Sequence, residues 1–188
     1  MERAVCGPAG ATLTGQSRNL LRVANREALD SYLNDHLAGS AAAVELVERI
    51  RANNPGTPLA AHLEGLGREI EADRDTLGEV MERLGVARST PKQAVGKVME
   101  TLSRLRLNER VTGGADVTRL MELETLSLGI EGKVALWRSL NHVADSRPEL
   151  GDFGIPALIV QAVGQRAGLE PYRLEAAAGA LAPAPDPA

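Results

Sequence analysis

Apolar residues recur along most of this chain at alternating three- and four-residue steps, the spacing that lines one face of an α-helix. Between Glu27 and Ala52 the set Leu29, Leu33, Leu37, Val44, Val47 and Ile50 follows it, and Asn53-Asn54-Pro55-Gly56 ends it. Thr57-Pro58 then supplies an N-cap followed by proline at the first helical position. From there Leu59, Leu63, Leu66, Ile70, Leu77, Met81 and Leu84 run to Gly85, a C-terminal stop. The start signal repeats at Thr90-Pro91-Lys92-Gln93, a capping-box pattern, and Val95, Val98, Met99, Leu102 and Leu105 carry a third, shorter helix towards Asn108. After Val111-Thr112-Gly113-Gly114, Asp116 caps a fourth helix with Leu120, Leu123, Leu126, Ile130, Val134, Trp137 and Leu140, ending near Asp145.

Past Asp145 the punctuation is proline. A further helical segment is expected from about Ile155 to Leu181, kinked or broken near Pro171. The alternation of β-branched residues that marks strands is absent. Short connections make successive helices antiparallel neighbours. The expected fold is therefore all-α: an antiparallel four-helix bundle with an additional C-terminal helical segment. Residues 1–26 read as a flexible N-terminal segment, 27–181 as the bundle domain and 182–188 as a disordered Ala/Pro tail.

Length and composition agree with one domain. The 188 residues can bury a sizeable core, and with aromatics at only 2% that core has to be aliphatic. A single cysteine, Cys6, permits no intramolecular disulfide. No apolar run approaches the roughly 18 residues of a membrane span, and the N-terminus lacks a signal peptide's apolar stretch. A cytoplasmic location without membrane contact is expected.

Chemistry, if the chain has any, must come from polar residues inside the apolar stripes. At about 100° per residue, His36 falls on the stripe of the first helix. On the second, Asp73 lies within the stripe of Leu66, Ile70 and Leu77, and Glu69 lies along its flank beyond His62. On the helix that starts at Asp116, Glu124 and Glu131 share nearly one azimuth. His36, Glu69, Asp73, Glu124 and Glu131 are thus candidate metal ligands, because inward carboxylates and histidines on facing helices are how bundles hold iron or manganese. The alternative is a salt-bridge network, since Arg74, Lys133 and Arg138 are near enough in sequence to neutralise the acids and a buried charge needs a partner.

Three segments carry a family resemblance. YLNDHLAGSAAAVELVERI, LEGLGREIEADRDTLGEVMERLG and ELETLSLGIEGKVALWRSL, within Glu27 to Asp145, resemble the helices of ferritin-like bundle proteins, and more closely small bacterial proteins assigned to that superfamily. The resemblance implies a four-helix bundle, and in di-iron members iron is held by glutamates from two helices and a Glu-x-x-His pair on each of the others. This chain departs from that motif: the residues three before His36, His62 and His142 are Leu33, Leu59 and Ser139. The resemblance therefore transfers no ligand to any position here.

Charge distribution adds a partner reading. The net charge of −4 disfavours a nucleic-acid binder. Between Arg88 and Arg110, however, six basic residues outnumber two acidic ones, giving the third helix a basic surface for an acidic protein partner. The wide apolar arc of the helix from Asp116 suggests a homodimer. Two functions stand: a non-enzymatic bundle with a structural, stress-related or interaction role, needing no cofactor, or a ferritin-like metal-binding protein or oxidase with a non-standard carboxylate and histidine centre.

Overall fold

The computed structural model describes residues 15–89 and 115–182, with side chains described for residues 23–89 and 116–182. All of its regular structure there is helical: α1 is Gly15–Asn53, α2 Pro58–Arg83, α3 Ala115–Val143 and α4 Ile155–Leu181, with two short 3-10 turns, Ala144–Ser146 and Pro148–Phe153, between the last two. The expected helix from Thr90 to Asn108, and with it most of the basic segment, lies outside the described residues.

Local chemistry explains where α2 begins and ends. Thr57 Oγ1 accepts the Ala60 N–H at 3.2 Å, and Pro58 occupies a first-turn position that needs no donor. At the other end Gly85 takes φ +67°, which favours glycine, and donates to the Glu82 carbonyl at 2.9 Å. Val86 then donates to the Met81 carbonyl at 2.8 Å. These two bonds form a Schellman motif, completed by the burial of Val86 and Met81 in one apolar cluster.

α1 starts at Gly15, inside the segment expected to be flexible, and runs for 39 residues, while residues 1–14 of that segment and 183–188 of the expected tail lie outside the described residues. Residues 23–28 are exposed, so no apolar stripe marks these turns, and good helix formers extend the helix locally. Of the kink or break expected near Pro171, the break does not occur, because α4 continues through that residue. Pro171 and Ala167, whose carbonyl it leaves without a donor, are both exposed, so water can satisfy that group.

Packing pairs the helices around a common interior. α3 lies along α4 and α1 along α2, while α1 also contacts α3 and α2 touches α4 and the second 3-10 turn. All four helices contribute to two apolar clusters. One contains Ile50, Leu63, Ile70, Leu123, Ile130 and Leu169, the other Leu33, Leu77, Met81, Val134, Trp137 and Ala162. On α3, Leu123, Leu126, Ile130, Val134 and Trp137 are buried in these clusters, while Leu128 is exposed. Apolar side chains do remain outside on α4, where Val160, Val163, Leu174 and Leu181 are exposed. Among the described residues no helix is long and apolar enough to cross a membrane.

Glycines in α2 separate packing from helix propensity. A Cβ placed on buried Gly67 would sit 3.2 Å from Val47 Cγ1, whereas one on Gly65 would meet nothing within 4 Å. Gly65→Ala is therefore expected to stabilise the fold by about 0.5–1 kcal/mol. Gly67→Val is expected to cost about 1–3 kcal/mol, because α1 has to move. Urea unfolding of the two variants checks both signs.

Candidate functional site

Between the two apolar clusters lies a polar layer. On α2, Asp73 sits between Ile70 of one cluster and Leu77 of the other and is only 3% exposed. On α3, Lys133 falls between Ile130 and Val134, and on α4, Gln165 falls between Ala162 and Leu169. The three side chains close a ring of hydrogen bonds. Lys133 Nζ donates to Asp73 Oδ2 and to Gln165 Oε1, and Gln165 Nε2 donates to the same Asp73 oxygen at 3.2 Å. Burial holds the Lys133 ammonium below its ordinary pKa, and Asp73 opposes that shift without cancelling it.

α1 contributes no charged side chain to this ring. At its level α1 carries Gly39 and Ser40, and Ser40 Oγ is used locally, donating to the Leu37 carbonyl at 2.7 Å. The space left open is a cavity of about 220 Å³ between α1, α2 and α3. Lys133, Asp73, His36 and Trp137 are among its walls. Trp137 is fully buried, and its Nε1 has no acceptor among the described residues.

The five candidate ligands do not converge. His36 and Asp73 line the same cavity, but Asp73 is bonded to Lys133. Glu69 is exposed and lies beside His62 on another face. Glu124 and Glu131, expected to point inward, are half-exposed and pair across the surface with arginines of α4: Glu124 with Arg173 at 3.5 Å, Glu131 with Arg166 at 3.1 Å. Their azimuth borders the apolar arc of α3 on the side facing α4, which explains why they stay at the rim. Among the described residues no group of three or more His, Cys, Asp or Glu could hold a metal ion.

The buried acid of α3 is instead Glu122, 3% exposed and ion-paired with Arg49 of α1 at 3.0 Å. It precedes Lys133 by 11 positions, just over three whole turns at about 3.6 residues each. Taking Lys133 as the inward marker would have located it. Gln165 had a weaker signal, its place between Ala162 and Leu169 in a row that repeats every seven residues through Ala176.

Both described helical histidines of the first two helices pack on tyrosines. The His36 and Tyr32 rings meet edge to face at 4.7 Å, and His62 lies 5.0 Å from Tyr172. Burial lowers both imidazole pKa values, against weaker opposing pulls from Asp35 and Glu69 respectively.

Comparison with known proteins gives no match: no family model fits the sequence, and neither a curated protein nor a solved structure matches the chain.

The histidines set an acid limb of stability. Each folded-state pKa lies below the ordinary value of 6.5, so the unfolded chain binds the proton more readily. Stability must then rise with pH through the interval ending at 6.5 and fall on acidification. The double variant His36→Gln, His62→Gln is expected to show a flatter dependence than the parent chain in urea unfolding between about pH 5 and 7. Parallel curves for the two proteins would remove the histidines as the cause.

Proposed function

We propose that this chain is a non-enzymatic protein built as a ferritin-like, antiparallel four-helix bundle, acting in the cytoplasm as a scaffold with a structural, stress-related or protein-interaction role. The pairwise packing of the four helices supports the bundle, and helix pattern supports the ferritin-like relationship. What carries the functional reading is the state of Asp73. The most deeply placed of the candidate ligands already has a cation and an amide donor on one carboxylate oxygen.

A divalent ion at that carboxylate would either share it with the Lys133 ammonium, setting two cations side by side in an apolar interior, or displace Lys133 and leave it without its counter-charge, and each costs several kcal/mol. The other acids are no better placed, because Glu124 and Glu131 face arginines at the rim. Carboxylates that end on cations are what a salt-bridge network requires, and the Arg49–Glu122 pair adds a second buried link, between α1 and α3. An interaction role also has a surface to use, the exposed apolar residues Val160, Val163, Leu174 and Leu181 of α4. A homodimer and an acidic partner for the Arg88–Arg110 segment remain parts of this proposal.

Purification without chelator followed by elemental analysis tests the reading. Iron and manganese are expected well below one equivalent per chain, and Glu124→Ala and Glu131→Ala are expected to change stability by no more than about 1 kcal/mol, the worth of exposed pairs. Near-stoichiometric metal that is lost on Glu124→Ala or His36→Ala would overturn the scaffold reading in favour of a metal-binding protein.

A further inference from the structure

The cavity beside the polar layer is a feature that a scaffold does not need. Its volume of about 220 Å³ exceeds the roughly 150 Å³ that lets an apolar protein cavity take up benzene. Protein interiors ordinarily close such space, since each lost contact weakens the core. Here it is kept open by residues without side chains: a Cβ placed on Gly39, Gly129 or Gly132 would meet nothing within 4 Å. Gly129 and Gly132 also lie inside α3, where glycine is costly relative to alanine. Gly39 and Gly129 are exposed, so the cavity reaches solvent between α1 and α3.

The walls say what would fit. Ile70, Leu77, Ile130 and Trp137 offer an apolar body, and the indole N–H of the fully buried Trp137 has no acceptor among the described residues. The charged lining residues are two acids, Asp35 and Asp73, and two bases, Arg74 and Lys133. His36, whose pKa burial lowers, adds an imidazole that is neutral at pH 7. The lining therefore carries no net charge, and the innermost pair, Asp73 with Lys133, is already neutralised internally. At the inner end, beside this pair, a charged guest would find no free counter-ion and would lose hydration, because Asp35 is exposed at the mouth and Arg74 lies 4.0 Å from Asp75.

We propose that this cavity binds a small uncharged ligand, a single aromatic ring or compact aliphatic body carrying one hydroxyl or carbonyl group, between α1 and α3. The apolar body displaces water from the leucine and isoleucine walls, and the polar group meets His36 or the Trp137 N–H. The site goes beyond the scaffold reading and does not depend on it.

Trp137 is the only tryptophan in the chain, so its fluorescence reports directly on the cavity. Phenol, benzoate and benzylamine, titrated into the full chain to millimolar concentrations at pH 7, share a ring and differ in charge. Phenol is expected to change Trp137 emission saturably and to raise the melting temperature. The two charged probes are expected to bind at least about tenfold more weakly. Gly132→Leu and Gly39→Leu, which fill the space from opposite walls, are expected to abolish the phenol response. Circular dichroism identifies which of these two variants keeps the parent helicity, and thermal melting of the unmodified chain with each probe needs no variant at all. A phenol response that is absent, or that persists in a folded cavity-filled variant, would overturn the site. Equal binding of the charged probes would overturn the ligand class.

Discussion

A carboxylate placed in the apolar interior of a helical protein cannot remain alone, and the arrangement of this molecule follows from how Asp73 is answered. Its counter-charge, Lys133, comes from α3, and the amide that completes the ring, Gln165, comes from α4. Apolar packing accepts many small shifts of one helix along another, because a leucine can exchange one hydrophobic neighbour for another at little cost. A closed hydrogen-bond ring accepts few, because a shift of one turn leaves a buried ammonium facing a buried carboxylate out of reach. The ring thus sets the register of three helices, and the clusters on either side of it fill in around that register.

The same layer shapes the open space. α1 passes the ring with Gly39 and Ser40, and α3 faces it with Gly129 and Gly132. Bulky residues at these positions would fill the cavity against the Asp73–Lys133 pair. The chain thus combines, at one level of its interior, a closed ring of polar contacts and an open volume of about 220 Å³.

How far the sequence disclosed this depended on which physical signal each element carried. Helix α2 was legible at both ends, since its Thr57-Pro58 start and Gly85 stop are local chemistry that needs no tertiary context. Asp73 was legible as buried because helical periodicity places it between Ile70 and Leu77. The first turns of α1 were not, because exposed helix leaves no apolar stripe to read. Glu124 and Glu131 were misplaced for a related reason: a residue at the edge of an arc turns inward or outward according to what the neighbouring helix offers. Arg173 and Arg166 on α4 drew both to the surface. Glu122 and Gln165 escaped notice since their burial is defined by partners, Arg49 and Lys133, that lie on other helices.

The dependence of the fold on the Asp73–Lys133 pair is tested most directly by a double-mutant cycle, measuring unfolding free energy for Asp73→Leu, Lys133→Met and the two combined. Each single replacement leaves one charge buried without its partner, and a loss of about 3–5 kcal/mol is expected for each. The combined variant buries neither charge and is expected to lose less than either single one. Losses that simply add in the combined variant, or single replacements that cost almost nothing, would contradict the pair's place at the centre of the structure.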